Sequence, residues 1–191
     1  MSKTNQLGQK LLLADETVSV KLILPEGKKI WQVFFSLLSH SCDSWLWLAG
    51  LFLLWLFGNP ALKQTAVFWS LGLVVLAVLV LLIKFSIQRP RPEGQWGQIY
   101  RVTDPHSFPS GHAARAAAIV VMSSQVGSTG LVVALGVWAV LVGISRVSLK
   151  LHFFSDILVG WLIGLISGLF MVNFFPKLLA QFPAFFNFFI Q

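Results

Sequence analysis

Cysteine is almost absent from this chain of 191 residues, with Cys42 the single one. One thiol builds neither an intramolecular disulfide nor a thiolate metal cluster, and it leaves the redox compartment open. Its plain reading is a small buried hydrophobe. Charge is scarce as well. Only 11% of the residues are charged and 56% are hydrophobic, with a mean hydropathy of +0.77, against roughly 25% charged and 45–50% apolar in soluble domains. That balance excludes an ordinary soluble globule and implies a membrane protein. The N-terminal stretch MSKTNQLGQKLLLADETVSVKLILPEGKK also lacks a secretory signal's long apolar core, having three leucines and then an acidic pair. It is expected to stay on the mature protein. No internal repeat is visible, and at about 100–200 residues per domain one bundle is expected. The net charge of +7 comes from residues at the ends of apolar segments, not from a basic run interleaved with aromatics. Snorkelling and anionic headgroups account for that placement, so membrane lipids are expected partners and nucleic acid is not.

What the chain has in quantity is long apolar runs. A transmembrane helix needs about 20 mostly apolar residues, and residues 65–83 are the cleanest such run. Residues 45–57 are apolar but short. They join the preceding IWQVFFSLLSHSCDS, whose polar interruption suggests an interfacial or re-entrant piece leading into the first span. From 113 to 145 the apolar sequence is broken by SSQVGSTG, which points to two antiparallel spans. The last span, 157–175, carries Gly160, Gly164 and Gly168 at four-residue spacing, a face that lets helix backbones approach closely in lipid. The aromatic tail FFPKLLAQFPAFFNFFIQ, broken by Pro176 and Pro183, reads as an interfacial anchor. The expected fold is all-α, an integral, multi-pass membrane helical bundle of about five transmembrane helices. It divides into an N-terminal interfacial or re-entrant segment at 1–43, a transmembrane domain at 44–176 and the tail at 177–191.

Alternating five spans places the end of the second, the start of the third, the end of the fourth and the start of the fifth on one face. Lys84, Arg89, Arg91, Arg101, His106, His112, Arg115, Arg146, Lys150, His152 and Asp156 all fall at those ends or in the loops joining them. Ionisable groups near hydrocarbon are costly unless paired or hydrated, so their convergence is a functional site by default.

Three clusters carry the chemistry. In KFSIQRPRP, Lys84 and Arg91 bracket six residues and the prolines keep the chain out of helix; two cations there suit an anion, or simply flank a span. Pro109, Ser110, Gly111 and His112 open a helix. Ser110 is an N-cap candidate and Gly111 permits close backbone approach, so the start is either a phosphate site or an ordinary capped helix. In SRVSLKLHFFSD, a His152 in the first helical turn would have Asp156 one turn on. The carboxylate would fix the imidazole tautomer and leave the other nitrogen as nucleophile or base, or the two form a structural pair.

Taken together, Lys84-x6-Arg91-Pro92, Pro109-Ser110-Gly111-His112 and Ser145-Arg146-x5-His152-x3-Asp156 resemble the three-part signature of the type 2 phosphatidic acid phosphatase (PAP2) and vanadium haloperoxidase superfamily. Every signature position is filled, in order, and the resemblance spans roughly residues 45–175. It implies a PAP2-type helical bundle and a metal-independent phosphatase with no cofactor. In that scheme Lys84, Arg91 and Arg146 bind phosphoryl oxygens with Ser110 and the Gly111 amide. His152 attacks phosphorus to form a phosphohistidine, Asp156 orients it, and His112 protonates the leaving group and then activates water. Phosphoryl transfer needs mostly positioning and charge stabilisation, which three cations supply.

FPSGHAARAAA with GISRVSLKLHFFSD is similar to the polyisoprenoid diphosphate phosphatase branch, typified by presqualene diphosphate phosphatase, in which an arginine stands at the place of Arg115. The resemblance implies a second phosphate on Arg115; a salt bridge to Asp104 or Asp156, or snorkelling, is the alternative. An isoprenyl diphosphate is the expected substrate, followed by phosphatidic acid or a related phospholipid monoester. Rival readings are a lipid phosphotransferase, a haloperoxidase, a non-catalytic lipid-binding membrane protein and a transporter; the charges at one face argue against the last. A homo-oligomer through the glycine face is open. Of fourteen Lys and Arg, only Lys63 and Lys177 fall on the opposite face, so the positive-inside rule points to a cytoplasmic site.

Overall fold

A computed structural model describes residues 3–25, 27–94 and 102–190. Among them there are helices and no strand: α1 (Lys3–Lys21), α2 (Lys29–His40), α3 (Ser44–Phe57), α4 (Pro60–Ile87), α5 (Gly111–Ser123), α6 (Thr129–Ser148), α7 (Phe154–Gln181) and α8 (Pro183–Ile190). The starts follow local chemistry. Asn59 Oδ1 accepts from Leu62 N at 3.0 Å with Pro60 in the first turn, and Ser110 and Ser128 hydroxyls accept from Ala113 N and Leu131 N. Each cap takes one amide that the first turn leaves without a partner.

By length and apolar character α4, α6 and α7 can cross a membrane, and α2 with α3, bent by 51°, makes a fourth if the pair is one broken span. The expected third span, α5, has 13 residues, roughly 20 Å at about 1.5 Å per residue and short of the about 30 Å of hydrocarbon. It is wrapped by protein instead of lipid. Ala113, Ala114, Ala116, Ala117, Ala118 and Ile119 are all buried, and α7, α6 and α4 pack around them. Small side chains at this centre let the neighbouring backbones close in.

Gly160, Gly164 and Gly168 make that closure on the α7 side. A Cβ at Gly160 would stand 2.6 Å from Ser110 O, at Gly164 2.0 Å from Ala114 O, and at Gly168 2.8 Å from Val121 Cβ. The glycine face is therefore occupied within the chain. The outward faces remain apolar, with Val74, Val78, Leu82 and Leu162 exposed, as lipid requires.

The tail departs from expectation at its first proline. α7 continues through Pro176 to Gln181, a substitution of ring for N–H that membrane helices tolerate when neighbours hold them. The chain breaks instead before Pro183, and α8 folds back on α4 with Phe186 buried and Trp55 donating Nε1–H to Phe189 O at 2.6 Å.

Because the Gly164 position meets backbone, Gly164→Ala should destabilise the bundle by about 1–3 kcal/mol. Gly136→Ala, where a Cβ meets nothing within 4 Å, should be neutral or gain about 0.5–1 kcal/mol. Unfolding of both variants in detergent micelles checks the contrast.

Candidate active site

Three of the signature charges each close a buried apolar stripe. On α4 the stripe Ala66, Trp69, Leu73, Leu76, Val80 ends at Lys84; on α6, Ala139 and Val142 lead to Arg146; on α7, Gly168, Gly164 and Gly160 lead back to Asp156. Helical periodicity that buries the stripe also turns its last member inward. All three charges, with His152, are therefore buried at one end of the bundle.

His152 lies two residues before α7, not within its first turn, and Asp156 is in that turn and reaches back. The His152 Nδ1 to Asp156 Oδ2 distance is 3.5 Å. His152 Nε2 is 3.2 Å from Arg91 Nη1. A guanidinium only donates, so Nε2 accepts and the ring proton sits on Nδ1, facing the carboxylate. Asp156 Oδ2 also accepts from Phe153 N at 2.9 Å, and its backbone carbonyl accepts from Ser110 N at 3.0 Å. The third cluster is thereby tied to the second. Burial, then the positive charges of Arg146, Arg91 and Lys84, push the His152 imidazole well below the usual range. The ring is held neutral, with Nε2 directed at the cations.

The two cations of the first cluster meet on an acid that sequence reasoning named only as a partner for Arg115. Lys84 Nζ lies 3.1 and 2.8 Å from the Asp104 carboxylate oxygens and 2.7 Å from His106 O. Arg91 Nη2 forms an ion pair with Asp104 Oδ2 at 3.0 Å, and Arg91 donates Nε–H to Asp104 O and Nη1–H to Leu151 O. An ammonium has three donors, and all three of Lys84 are engaged. Asp104 stands where an anion would stand between Lys84 and Arg91. Arg146 donates Nη1–H to Ser39 Oγ at 2.7 Å.

Arg89 was counted among the converging charges without a role. It bridges two acids, giving Nη1 to Asp156 Oδ1 and Nη2 to Asp15 Oδ2, both at 2.7 Å, with Phe153 under its guanidinium at 4.0 Å. Asp15 of α1 also accepts from Ser155 N and Ser155 Oγ, and Ser19 Oγ accepts from Phe154 N. The N-terminal helix is docked on the first turn of α7.

In the second cluster Ser110 caps α5 as its sequence suggested. A Cβ on Gly111 would make only ordinary contact, 3.6 Å from Val80 Cγ1, so packing does not demand glycine there. His112 Nε2 lies 2.7 Å from Asp43 Oδ1. Arg115 donates to Cys42 O and Ser44 Oγ, and Asp156 and Asp104 pair elsewhere. Those two bonds engage two of the five guanidinium N–H donors of Arg115. The sole sequence signal for Asp43 was a carboxylate interrupting an apolar run. Arg101 lies outside the described residues.

The PAP2 superfamily family model matches residues 63–180. Two solved structures are similar. LpxE of Aquifex aeolicus is 27% identical with a TM-score of 0.62, over 75% of this chain and 86% of that one. The first transmembrane PAP2 type phosphatidylglycerolphosphate phosphatase from Bacillus subtilis is 25% identical with a TM-score of 0.74, over 88% of this chain and 87% of that one.

Neutralising the internal acid should open the anion site. Asp104→Asn is expected to tighten binding of inorganic phosphate several-fold, read by titration calorimetry on the detergent-solubilised protein. Weaker binding would mean that Asp104 serves to hold Lys84 and Arg91 in place.

Proposed function

The chain belongs to the PAP2 superfamily, and on that premise we propose that it is an integral membrane phosphatase that hydrolyses a lipid phosphate through a phosphohistidine. The observation that carries the reading is the neutral His152, with its Nδ1 toward Asp156, its Nε2 3.2 Å from Arg91 Nη1, and the positive charges of Arg146 and Lys84 acting on the ring. The Nε2 lone pair attacks phosphorus, the P–O bond to the leaving group breaks, and His112 supplies the proton to the departing oxygen. His112 then takes a proton from water as the water oxygen attacks phosphorus and the P–N bond breaks, releasing inorganic phosphate. Lys84, Arg91 and Arg146, with Ser110 and the Gly111 amide, hold the equatorial oxygens, the charge stabilisation for which other phosphoryl-transfer sites use magnesium.

The end-on position of the site suits a substrate whose head enters the mouth while its tail stays in lipid. An isoprenyl diphosphate would place its second phosphate on the remaining N–H donors of Arg115. A phospholipid monoester makes no use of them, and the similarity to the Bacillus subtilis phosphatidylglycerolphosphate phosphatase supports it. Transfer of the phosphoryl group to an acceptor lipid would use the same His152 intermediate. The docking of α1 on α7 is consistent with an N-terminus at the active-site face, and the excess of Lys and Arg at that face favours the cytoplasm.

Wild-type protein should release phosphate from farnesyl diphosphate, farnesyl phosphate or phosphatidic acid with chelator present, and His152→Ala should abolish it. The ranking of the three lipids decides the substrate; release lost to chelator, or surviving in His152→Ala, refutes the mechanism. For the membrane side, Glu93→Cys should resist an impermeant maleimide applied to intact cells while Ala61→Cys reacts. The reverse pattern would place the site outside.

A further inference from the structure

Asp43 lies at the corner between α2 and α3, in the N-cap position of α3, yet it makes no side-chain cap to its own helix. An aspartate there ordinarily accepts an amide of the first turn. Here the carboxylate is turned across the bundle, with Oδ1 2.7 Å from His112 Nε2 and Oδ2 2.9 Å from His40 Nδ1. Its side chain is 12% exposed and that of His112 13%, whereas His40 is 54% exposed. The contact is thus a largely buried one between a carboxylate and the signature imidazole.

The corner is built to keep it. Arg115 donates Nη1–H to Cys42 O and Nη2–H to Ser44 Oγ, on both sides of Asp43. Trp47 and Trp138 donate their indole N–H to Ser41 O and Ser41 Oγ at 3.0 and 2.8 Å, and Cys42 Sγ approaches His112 O at 3.4 Å. A lipid-facing bend needs none of these bonds. Their shared result is that the residue-43 carboxylate cannot drift from His112.

We propose that Asp43 is the positioning residue of His112, so that the site contains two His–carboxylate pairs, Asp156 with His152 and Asp43 with His112. The inference rests on the phosphatase reading given above. The Arg146 and Arg115 guanidiniums oppose a second proton on His112, and the adjacent Asp43 carboxylate supplies the negative charge that offsets them. With Nε2–H held by Asp43, the proton that His112 gives and regains travels on Nδ1. In the first step Nδ1–H passes to the leaving oxygen as the P–O bond breaks; in the second Nδ1 takes the proton of the attacking water as the P–N bond breaks. Asp43 stays ionised throughout. Arg115 acts through Asp43 by fixing the corner.

Asp43→Asn keeps the shape and removes the charge. It should lower turnover of phosphatidic acid, whose alkoxide needs a proton to leave, by about 100-fold or more. With p-nitrophenyl phosphate, whose phenolate leaves unaided, it should produce a burst of one p-nitrophenolate per enzyme followed by slow phosphate release, because the second step still needs His112. Equal losses on both substrates with no burst would overturn the proposal, as would wild-type behaviour. Wild-type protein inert toward both compounds and toward farnesyl phosphate and farnesyl diphosphate would instead refute the phosphatase reading on which the proposal rests. If Asp43→Asn does not fold, a pH series of 15N spectra of wild-type His112 decides: Nε2 is expected to keep its proton while Nδ1 gains and loses one, and a bare Nε2 in the neutral ring overturns the assignment. Arg115→Ala should follow the Asp43→Asn pattern with farnesyl phosphate and farnesyl diphosphate alike; a loss confined to the diphosphate would assign Arg115 to the substrate.

Discussion

A carboxylate with no access to water governs this structure. Asp156 is wholly buried at the end of the glycine stripe of α7, and a charge in that position persists only where partners replace its hydration. They come from every direction: Arg89 from the segment after α4, Phe153 N from its own helix start, and His152 from the turn between α6 and α7. The Asp156 carbonyl accepts the Ser110 amide that opens α5. Satisfying one buried aspartate therefore draws the three signature segments to one point. Helix packing at the Gly160 and Gly164 contacts sets how close those segments come.

The same rule explains the parts of the chain outside the signature. Arg89 cannot neutralise Asp156 without balance of its own, and Asp15 provides it from α1. Arg146 reaches Ser39 on α2, and His112 reaches Asp43 at the α2–α3 corner. The first 43 residues, which composition alone sets apart from the bundle, supply side chains to three of its ionisable groups, Arg89, Arg146 and His112. Lys84 and Arg91 are balanced by Asp104, itself more than one-third exposed at the mouth. A partner at that depth can exchange with an incoming anion, and one as deep as Asp156 cannot.

Much of the fold was legible because lipid makes the pattern simple. Apolar runs at 65–83 and 157–175 are inner segments of α4 and α7, and the SSQVGSTG break separates α5 from α6. α5 is shorter than a lipid-facing span because protein wraps it on its way through the bundle. Pro176 reads as a break because its ring removes an N–H, a loss that α7 tolerates where packed neighbours hold the helix. Asp43 and Asp15 carried little signal, because each matters through a partner 69 or 74 residues away.

That this is an all-helical membrane protein, and which residues would be expensive to bury, can be read from the order of residues, since periodicity and transfer cost are properties of each segment alone. The same order puts Lys84, Arg146 and Asp156 at the ends of apolar stripes, because a helix fixes that register locally. Which charge answers which emerges with the folded bundle. The pairing of Asp156 with Arg89, of Lys84 with Asp104 and of His112 with Asp43 depends on how four helix ends and one bent corner meet. That meeting is set by packing across the whole bundle, where no local rule reaches.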